Sequence, residues 1–271
     1  MTIRTATRND LPALRELFAH ANDSPYDLDA VAEEKCFGDG IAGPPSTRII
    51  EENGRILAAA VASGKWLRVL IVARDARRRG LATQLLDNAQ GVTVVAAEPG
   101  NYFTPGVPLD DDNARAFFRV RGFLETQTTW NLDVDLGTFT APAEVLRPTH
   151  EDADRVLAYV EREFGRIWRF EAAKAFERET PPAFISMDEG AITGFAVHDV
   201  NNRGLGFFGP TGVSKSMRGR GIGGKLLLAS LEDLHRLGYS RCVIPWTDAL
   251  EFYRKVCGAR PAQQFVSMVR T

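Results

Sequence analysis

The stretch that decides the fold is MRGRGIGGKLLL, residues 217–228, which carries four glycines within six residues. Arginine and lysine residues are interleaved with these glycines. An apolar run broken by glycines precedes the stretch, and an amphipathic run that ends at Gly238 follows it, which predicts a strand, a tight turn and a helix. The first amides of a helix lack partners within it, and the helix dipole is positive there. The stretch therefore predicts an anion site at the helix N-terminus.

Three known loop patterns compete to explain this anion site. The glycines satisfy GxGxxG, the dinucleotide fingerprint, and most of the P-loop pattern GxxxxGK. The P-loop pattern fails at Leu226, where a Ser or Thr hydroxyl is needed to bind magnesium. The dinucleotide pattern expects an acidic residue about 20 positions further on, where residues 241–243 read Arg-Cys-Val. The third pattern, R-x-x-G-x-G/A, is met by Arg218, Gly221 and Gly223.

A second copy of the third pattern decides between them. Arg77, Gly80 and Ala82, in RRRGLA, also follow an apolar run and precede a helix-like run. Gly221 lies 141 residues after Gly80 (221 − 80 = 141). The earlier copy has neither GxG nor GK, so the dinucleotide and P-loop matches are explained by glycine richness alone.

Other landmarks repeat at nearly the same spacing. T-x-x-D capping boxes begin at Thr7 and Thr149, which are 142 residues apart (149 − 7 = 142). Hairpin turns are predicted at Asn53–Gly54 and, at a similar interval, at Glu189–Gly190 (190 − 54 = 136). We infer that one fold is written twice in the chain.

The doubled loop resembles the pyrophosphate-binding loop of the GCN5-related N-acetyltransferases (GNAT). The resemblance implies an α/β (α+β mixed sheet) fold: two tandem acyl-CoA N-acyltransferase (GNAT) domains, each a mixed, mostly antiparallel sheet flanked by helices. A link rich in Gly, Thr and Pro predicts that the first domain spans residues 1–138 and the second residues 143–271. A chain of 271 residues is long enough for two such cores.

The resemblance also implies that acetyl-CoA is the co-substrate and that the two loops bind it. In the second copy the implied binding residues are Val213, Arg218, Gly219, Arg220, Gly221, Ile222, Gly223, Gly224 and Lys225. In the first copy they are Arg77, Gly80 and Ala82.

Composition limits the partners that we expect. The formal net charge of −2 argues against a general binder of nucleic acid or anionic membranes, because the basic clusters are local. No apolar run approaches the ~18 residues of a membrane span, and the first residues carry charges where a signal peptide needs an apolar region. Three cysteines without CxxC spacing suit a reducing compartment and predict no metal site. We expect a cytoplasmic protein, monomer or homodimer, whose partner is a small-molecule amine.

The closing segment IPWTDALEFYRKVCGARP, residues 244–261, resembles the part of the fold in which a helix carries a tyrosine near the thioester sulfur. Tyr253 is therefore the predicted acid, since a phenol with a reference pKa of about 10 can hydrogen-bond to or protonate a departing thiolate. An ordinary core tyrosine is the alternative. The first copy has Phe118 at the matching position, which has no proton to give. We predict a catalytic second domain and a non-catalytic first domain that braces the structure, shapes the acceptor pocket or binds a second CoA.

The amine must lose a proton, and the sequence offers several acceptors for it. Asp248 lies near the tyrosine-bearing helix, although it is also a candidate for the N-cap of that helix. His198 and Asp199 lie at the end of a predicted strand, and a structural role is the competing interpretation for the histidine. Deprotonation relayed by water stays open as well.

The tandem arrangement, with YFTPGVP in the first copy, resembles two-domain bacterial acetyltransferases of glucosamine or glucosaminides, and more distantly the mycothiol synthases. The implied function is transfer of an acetyl group to the amine of an amino sugar. Alternatives are acetylation of a peptide, protein or mycothiol-like amine, or a CoA-binding sensor or scaffold without catalysis. Trp168, Trp246 and Tyr102 suit stacking on a sugar or packing in a core, and Phe103 suits a binding wall, a domain contact or a loop fastened to its own core.

Overall fold

The computed structural model describes residues 2–271, which divide into two compact units. Unit 1 ends at Thr128 and takes in the terminal segment Gln264–Thr271, and unit 2 is Thr129–Gln263. The last residues of the second sequence copy thus belong to the first unit. The borders at residues 138 and 143 stay a prediction about where the sequence copies meet.

The strands and helices follow the order expected from the repeat. Those that begin in unit 1 are β1 (Thr2–Thr5), α1 (Leu11–Ala21), α2 (Ala32–Phe37), β2 (Ser46–Glu52), β3 (Arg55–Ser63), β4 (Trp66–Val72), α3 (Leu81–Asn88), β5 (Val94–Val95), β6 (Val107–Pro108), α4 (Asp112–Arg119) and β7 (Leu124–Asp135). Those that begin in unit 2 are β8 (Val145–Leu146), α5 (Ala153–Phe164), α6 (Arg166–Ala173), β9 (Ala183–Asp188), β10 (Ala191–His198), β11 (Phe208–Val213), α7 (Ile222–Arg236), β12 (Arg241–Thr247), α8 (Leu250–Cys257) and β13 (Arg260–Val269). In the part of the chain that the structure describes, no helix is long and apolar enough to cross a membrane.

Each unit contains a mixed, mostly antiparallel sheet, which confirms the predicted fold class. In unit 1, strands β1 to β4 pair antiparallel in sequence order and β5 lies parallel to β4. The end of β13 then pairs antiparallel with β5, with Met268 opposite Val95. In unit 2, strands β8 to β11 are antiparallel neighbours, and β12 pairs antiparallel with β7.

The first hairpin of each unit has the same geometry. The turns at Asn53–Gly54 and Glu189–Gly190 place all four residues at positive φ, as predicted from the Asn-Gly and Glu-Gly pairs. Each hairpin also has a bulge at the third residue of its second strand, at Leu57 in unit 1 and at Thr193 in unit 2. The interval between the bulges (193 − 57 = 136) equals the interval between the turns, so the two hairpins correspond residue by residue.

The sheet of unit 2 is covered on both faces. Leu227, Leu231 and Leu234 form the buried stripe of α7 on one face. Residues of α5, including Val156 and Val160, pack on the other face. The capping boxes predicted at the start of both copies are present as well.

An ion pair lies in the interior of unit 1. Arg68 Nε donates to Glu98 Oε2 at 2.6 Å, and both side chains are fully buried. The same guanidinium donates to the carbonyls of Lys35 and Gly38. Gly40 lies directly against the carboxylate, since a Cβ built there would come within 1.5 Å of Glu98 Oε1. Position 40 therefore requires glycine, because a side chain there would clash with the buried ion pair.

Glu98 begins the loop of residues 98–114, whose aromatic residues are buried. Tyr102 and Phe103 are 6% exposed, and the Phe103 ring meets Tyr26 of the same unit edge-on at 6.4 Å. Of the three uses that the sequence left open for Phe103, the structure shows the loop fastened to its own core.

Replacing Glu98 by Gln should strongly destabilise unit 1. The substitution leaves Arg68 as a buried charge without a counterion, which typically costs about 3–5 kcal/mol. Urea denaturation of the full chain measures this loss. Asp75→Asn removes the partner of Arg55 in an exposed pair and should leave the transition where it is. A Glu98→Gln protein as stable as the parent would show that the buried pair is dispensable.

Candidate functional site

The loop after β11 has the geometry expected of an anion site. A short 3-10 turn, Lys215–Met217, leads from β11 to the loop, and Gly221 is the N-cap of α7. Gly219 and Gly221 have φ of +80° and +75°, a region that side chains rarely adopt. A Cβ added at Gly221 would meet no atom within 4 Å. The first amides of α7 therefore border open space.

The loop after β4 in unit 1 repeats this geometry. Gly80 is the N-cap of α3 with φ +79° and ψ 6°, against +75° and 2° at Gly221. The arginine of the pattern has the same task in both copies, because its Nε donates to the carbonyl at the end of the preceding strand. Arg77 reaches Val72 O at 3.4 Å, and the corresponding bond of Arg218 to the last residue of β11 is 3.3 Å.

The two loops differ in how their positive charge is used. In unit 1, Arg74 and Arg77 both pair with Asp23 at 2.7 Å, and Arg79 pairs with Glu52 at 2.8 Å. The basic residues around this loop are therefore largely neutralised by carboxylates of the protein. Asp23 was not singled out from the sequence, since it lies far before Arg77 in the chain and has no local signal.

In unit 2 the corresponding charge stays available. Within residues 2–271, Arg218 and Arg220 form no ion pair with any carboxylate. Lys225 is the exception, since it pairs with Glu144 at 2.7 Å. Ile222, Gly223 and Gly224 form the first turn of α7. A Cβ atom added to Gly223 or to Gly224 would lie 3.6 Å from a side chain of α8.

An opening begins near the start of β11, where β11 and β12 separate. The two parallel strands share one bridge, Phe207 with Val243, and then diverge. A bulge in β12 turns that strand aside: Pro245 has no amide to continue a ladder, and Trp246 has φ +51°. The Trp246 amide donates to Asn131 Oδ1 at 3.1 Å, which holds the bulge. Pro245 was the available signal for this feature in the sequence.

Unit 1 fills the corresponding opening with its buried ion pair. The bridge of Phe207 with Val243 matches the pairing of Trp66 with Val94, at intervals of 141 (207 − 66) and 149 (243 − 94). By the same intervals, Arg68 corresponds to Gly209 (209 − 68 = 141) and Glu98 to Thr247 (247 − 98 = 149).

Because Gly209 and Thr247 stand where unit 1 has an arginine and a glutamate, no ion pair fills the opening of unit 2. A Cβ at Gly209 would meet no atom within 4 Å, and the residues of β11 from there to Val213 are partly exposed. Unit 2 therefore has an accessible strand edge where unit 1 has an arginine and a glutamate.

Tyr253 of α8 lies at the base of the opening. Its ring meets Phe208, the residue after the bridge, edge-on at 6.4 Å. The side chain is 8% exposed, and its hydroxyl has no hydrogen-bond partner among the described residues. Burial raises the pKa of Tyr253 to about 12, so the phenol is neutral near pH 7.

Asp248 does not cap α8, contrary to the structural role expected for it. The N-cap is Ala249, whose amide donates to Thr247 Oγ1 at 3.1 Å. The threonine hydroxyl two residues earlier thus replaces the carboxylate in this turn. Asp248 is exposed, and its carboxylate has no hydrogen bond within the described chain.

His198 is fully buried between β10 and α7. Its Nε2 lies 2.8 Å from Asp233 Oδ2, and its ring stacks on Phe184 at 6.0 Å. Burial lowers the pKa of His198 against the opposing effect of the aspartate, so the imidazole is neutral. Burial raises the pKa of Asp233, but the hydrogen bond from His198 and the charge of Arg147 outweigh it and lower the pKa overall.

Asp199, the other candidate beside this strand, is also committed. It accepts hydrogen bonds from the Tyr239 hydroxyl at 3.0 Å and the Gly204 amide at 2.7 Å, and it is 2% exposed. The structure therefore brings Tyr253 and the glycine loop to the opening and places His198 and Asp199 in structural contacts.

The three thiols are poor nucleophiles. Burial raises the pKa of Cys36 to about 12 and that of Cys257 to about 11, and it raises the pKa of Cys242 well above its usual value. All three are therefore protonated near neutral pH, and a thiolate is the reactive form.

The model of the acetyltransferase (GNAT) family matches residues 11–123 and 146–259. No curated protein matches the sequence significantly.

Solved structures share the fold along nearly the whole chain. A GCN5-related glucosamine N-acetyltransferase region of a fungal multi-domain GH3 β-N-acetylglucosaminidase is 18% identical with a TM-score of 0.80, and the match covers 98% of this chain and 38% of that one. A tandem GNAT protein from the clavulanic acid biosynthesis pathway is 17% identical with a TM-score of 0.70, covering 98% and 97%. A GCN5-related N-acetyltransferase from Sphaerobacter thermophilus is 19% identical with a TM-score of 0.71, covering 98% and 94%.

The stability of the protein should fall between pH 7 and pH 5 because of His198. The unfolded histidine takes up a proton near its reference pKa of about 6.5, whereas the folded one resists protonation, so the folded state loses stability below that pH, by up to about 1.4 kcal/mol per pH unit. Urea denaturation at pH 5, 6 and 7 measures the slope. His198→Gln should flatten it, and His235→Gln, on the exposed side of α7, should not. Equal slopes for parent and His198→Gln would contradict the assignment.

Proposed function

The chain belongs to the acetyltransferase (GNAT) family, and we propose that unit 2 transfers an acetyl group from acetyl-CoA to the primary amine of a small molecule. The observation that carries the proposal is the contrast between the two copies. Unit 2 combines a glycine loop whose two arginines form no ion pair among the described residues, an open strand edge and a phenol at the base of the opening. Unit 1 has a loop in which Arg77 and Arg79 pair with carboxylates, an opening filled by a buried ion pair, and Phe118.

Acetyl-CoA is proposed to bind through its pyrophosphate to the backbone amides of residues 218–224. The N-terminus of α7 supplies unpaired donors and a positive dipole, and Arg220 and Lys225 supply charge. Arg218 is assigned the task of holding the turn, because its Nε is bonded to Val213. The thioester arm would follow the exposed edge of β11 towards Tyr253.

The proposed reaction is a direct attack of the amine on the thioester carbonyl. The neutral amine forms the new C–N bond, the C–S bond breaks, and the electron pair leaves with the sulfur as a thiolate. An acetyl-cysteine intermediate is disfavoured, since burial keeps the thiols of Cys36, Cys242 and Cys257 protonated. Positioning the two reactants side by side supplies much of the rate enhancement.

Tyr253 is proposed to stabilise the departing thiolate with a hydrogen bond. Its pKa of about 12 exceeds that of an ordinary thiol, about 8.5, by more than three units. Full proton transfer from the phenol to the sulfur is therefore unfavourable, whereas donation of a hydrogen bond to a developing negative charge is not. The free hydroxyl of Tyr253 suits this role.

Asp248 is proposed to accept the proton of the amine, directly or through a water molecule. Of the candidates from the sequence, it is the one whose carboxylate is exposed and not engaged in the fold. His198 and Asp199 are buried in contacts that they would have to leave.

Unit 1 is proposed to have no turnover of its own. Phe118 is buried and packs edge-on against Phe123 at 5.5 Å, so nothing at this position can donate to sulfur. A ligand phosphate would compete with Asp23 for Arg77. The unit then serves the protein as a structural partner of the catalytic one.

An amino sugar such as glucosamine, or a glucosaminide, is the proposed acceptor. Two tandem copies of the fold and the similarity to a glucosamine N-acetyltransferase region support it. Trp246 is 40% exposed at the bulge beside the opening and offers a flat apolar face of the kind on which sugars stack. Trp168 is less suitable, because it stacks on Phe164 at 5.2 Å.

Gly221→Val should abolish CoA binding, and Gly80→Val should not. The two glycines have nearly the same backbone angles and open surroundings, so both substitutions cost similar strain. Only in unit 2 would the valine intrude where phosphates approach. Calorimetric titration with CoA measures binding, and circular dichroism checks that each variant folds. Equal loss in both variants would remove the distinction between the loops.

Release of free thiol from acetyl-CoA identifies the acceptor. The panel consists of amino sugars, polyamines, aminoglycosides and peptides, and we expect turnover with amino sugars that Gly221→Val eliminates. Turnover with peptides alone would favour the protein-amine alternative. CoA binding without turnover on any amine would favour a sensor.

Tyr253→Phe should lower the turnover number by about 10²- to 10³-fold, as expected when one donor to a developing charge is lost. Stability and CoA binding should be retained, because the hydroxyl has no partner within the described structure. Tyr239→Phe is the matched control: it removes a phenol hydroxyl bonded to Asp199 and should cost stability instead of rate. Turnover of Tyr253→Phe within a few fold of the parent would make Tyr253 a core residue.

A further inference from the structure

Unit 1 contains an open cavity of about 470 Å³ at the end of α3 that is far from its anion loop. Among the residues that line it are Ala60 and Ala62 of β3, which we name its floor. Arg48 of β2, Asn88 and Gln90 also line it. The anion loop is at the opposite end of α3, about 12 Å away at the rise of an eight-residue helix. The cavity is therefore separate from the predicted CoA loop of this unit.

The repeat identifies the same place in unit 2, where it is filled. At the interval between the two hairpin turns, Arg48 corresponds to Phe184 (184 − 48 = 136) and Ala62 to His198 (198 − 62 = 136). The registers agree, because Arg48 is the partner of Ala60 and Phe184 is the partner of the alanine that corresponds to Ala60. Phe184 and His198 stack on each other at 6.0 Å and leave no groove.

The lengths of the two central helices explain why unit 1 is open. α3 has eight residues and α7 has fifteen, and Asn88 corresponds to Ala229 (229 − 88 = 141). The further residues of α7 bring Leu231, Asp233 and Leu234 onto the sheet, all buried. The shorter helix leaves room for the cavity beside the matching part of the sheet in unit 1.

Charge indicates what suits the cavity. In unit 2 this place holds the Asp233 carboxylate, which is bonded to His198 and paired with Arg147. In unit 1 the half-buried guanidinium of Arg48 has no hydrogen bond or ion pair with any described residue. No acidic residue is among those that line the cavity in the described chain. A guanidinium in a concave site matches a carboxylate through two parallel hydrogen bonds.

We propose that this cavity binds a small organic acid whose carboxylate pairs with Arg48. The amides of Asn88 and Gln90 and the hydroxyl of Ser46 offer hydrogen bonds to its other polar groups, and the alanine floor takes its carbon chain. The volume lies in the range of small-molecule sites, about 300–1,000 Å³. The ligand carboxylate would occupy the position that Asp233 fills in unit 2. This site is independent of acetyl transfer.

Calorimetric titration of the full chain with acetate, succinate, citrate and benzoate tests the proposal. We expect at least one carboxylate to bind, with an affinity that saturating CoA does not change. Arg48→Met keeps the length of the side chain and removes its charge, and it should weaken binding tenfold or more, as for loss of a charged hydrogen bond. Arg15→Met is the matched control, since Arg15 is exposed on α1 and has no partner in residues 2–271.

Ala62→Leu provides a second variant that keeps every charge. It fills the cavity from its floor and should abolish binding while the protein stays folded by circular dichroism. Failure of all four acids to bind the parent at millimolar concentration would overturn the proposal. So would unchanged affinity in Arg48→Met, or binding of inorganic phosphate in place of the carboxylates.

Discussion

Two parallel strands that meet at one bridge and then separate are the constraint on which unit 2 depends. β11 and β12 share the bridge of Phe207 with Val243, and the bulge at Pro245 and Trp246 then directs β12 away. Asn131 stabilises this arrangement by accepting the Trp246 amide. The free edge of β11, the glycine loop at its end and the phenol at the base of the opening all follow from the separation.

The same constraint is met differently in unit 1. There the strands also diverge after a short parallel pairing, but Arg68 and Glu98 close the gap with a buried ion pair. Such a pair is costly to desolvate and holds only if its partners are well placed. The carbonyls of Lys35 and Gly38 supply part of that placement. Unit 1 thus has an internal polar contact where unit 2 has an accessible strand edge.

The features that could be predicted from the sequence depend on residues close together in the chain. Glycine loops, hairpin turns and capping boxes are set by local backbone preferences, and all of them are present where the two copies predicted them. The start of α8 shows the limit of such local predictions. Asp248 and Thr247 can both hydrogen-bond to the backbone of this turn, and in the structure Thr247 does so.

The rest of the candidate site depends on pairs that are distant in sequence. Asp23 with Arg77, and Asn131 with Trp246, leave no local pattern, yet they decide which loop keeps its charge and which strands separate. His198 shows the same difficulty for roles. Its position at the end of a strand fits a catalytic role, whereas its hydrogen bond to Asp233 of α7 depends on a residue 35 positions away in the sequence.

Pairing of β13 with β5 makes the folding of unit 1 depend on the synthesis of the second sequence copy. Val95 of β5 is paired with Met268, which belongs to the last strand of the chain, and Gly106 approaches the carbonyl of Val266 so closely that a Cβ would lie 2.6 Å from it. Contacts of such long sequence separation form late and slow folding. When the ribosome has synthesised the first sequence copy, it has therefore not yet synthesised β13, the strand that completes the sheet of unit 1. The first copy to be made is the last to be finished, and it must persist until then with an unpaired sheet edge.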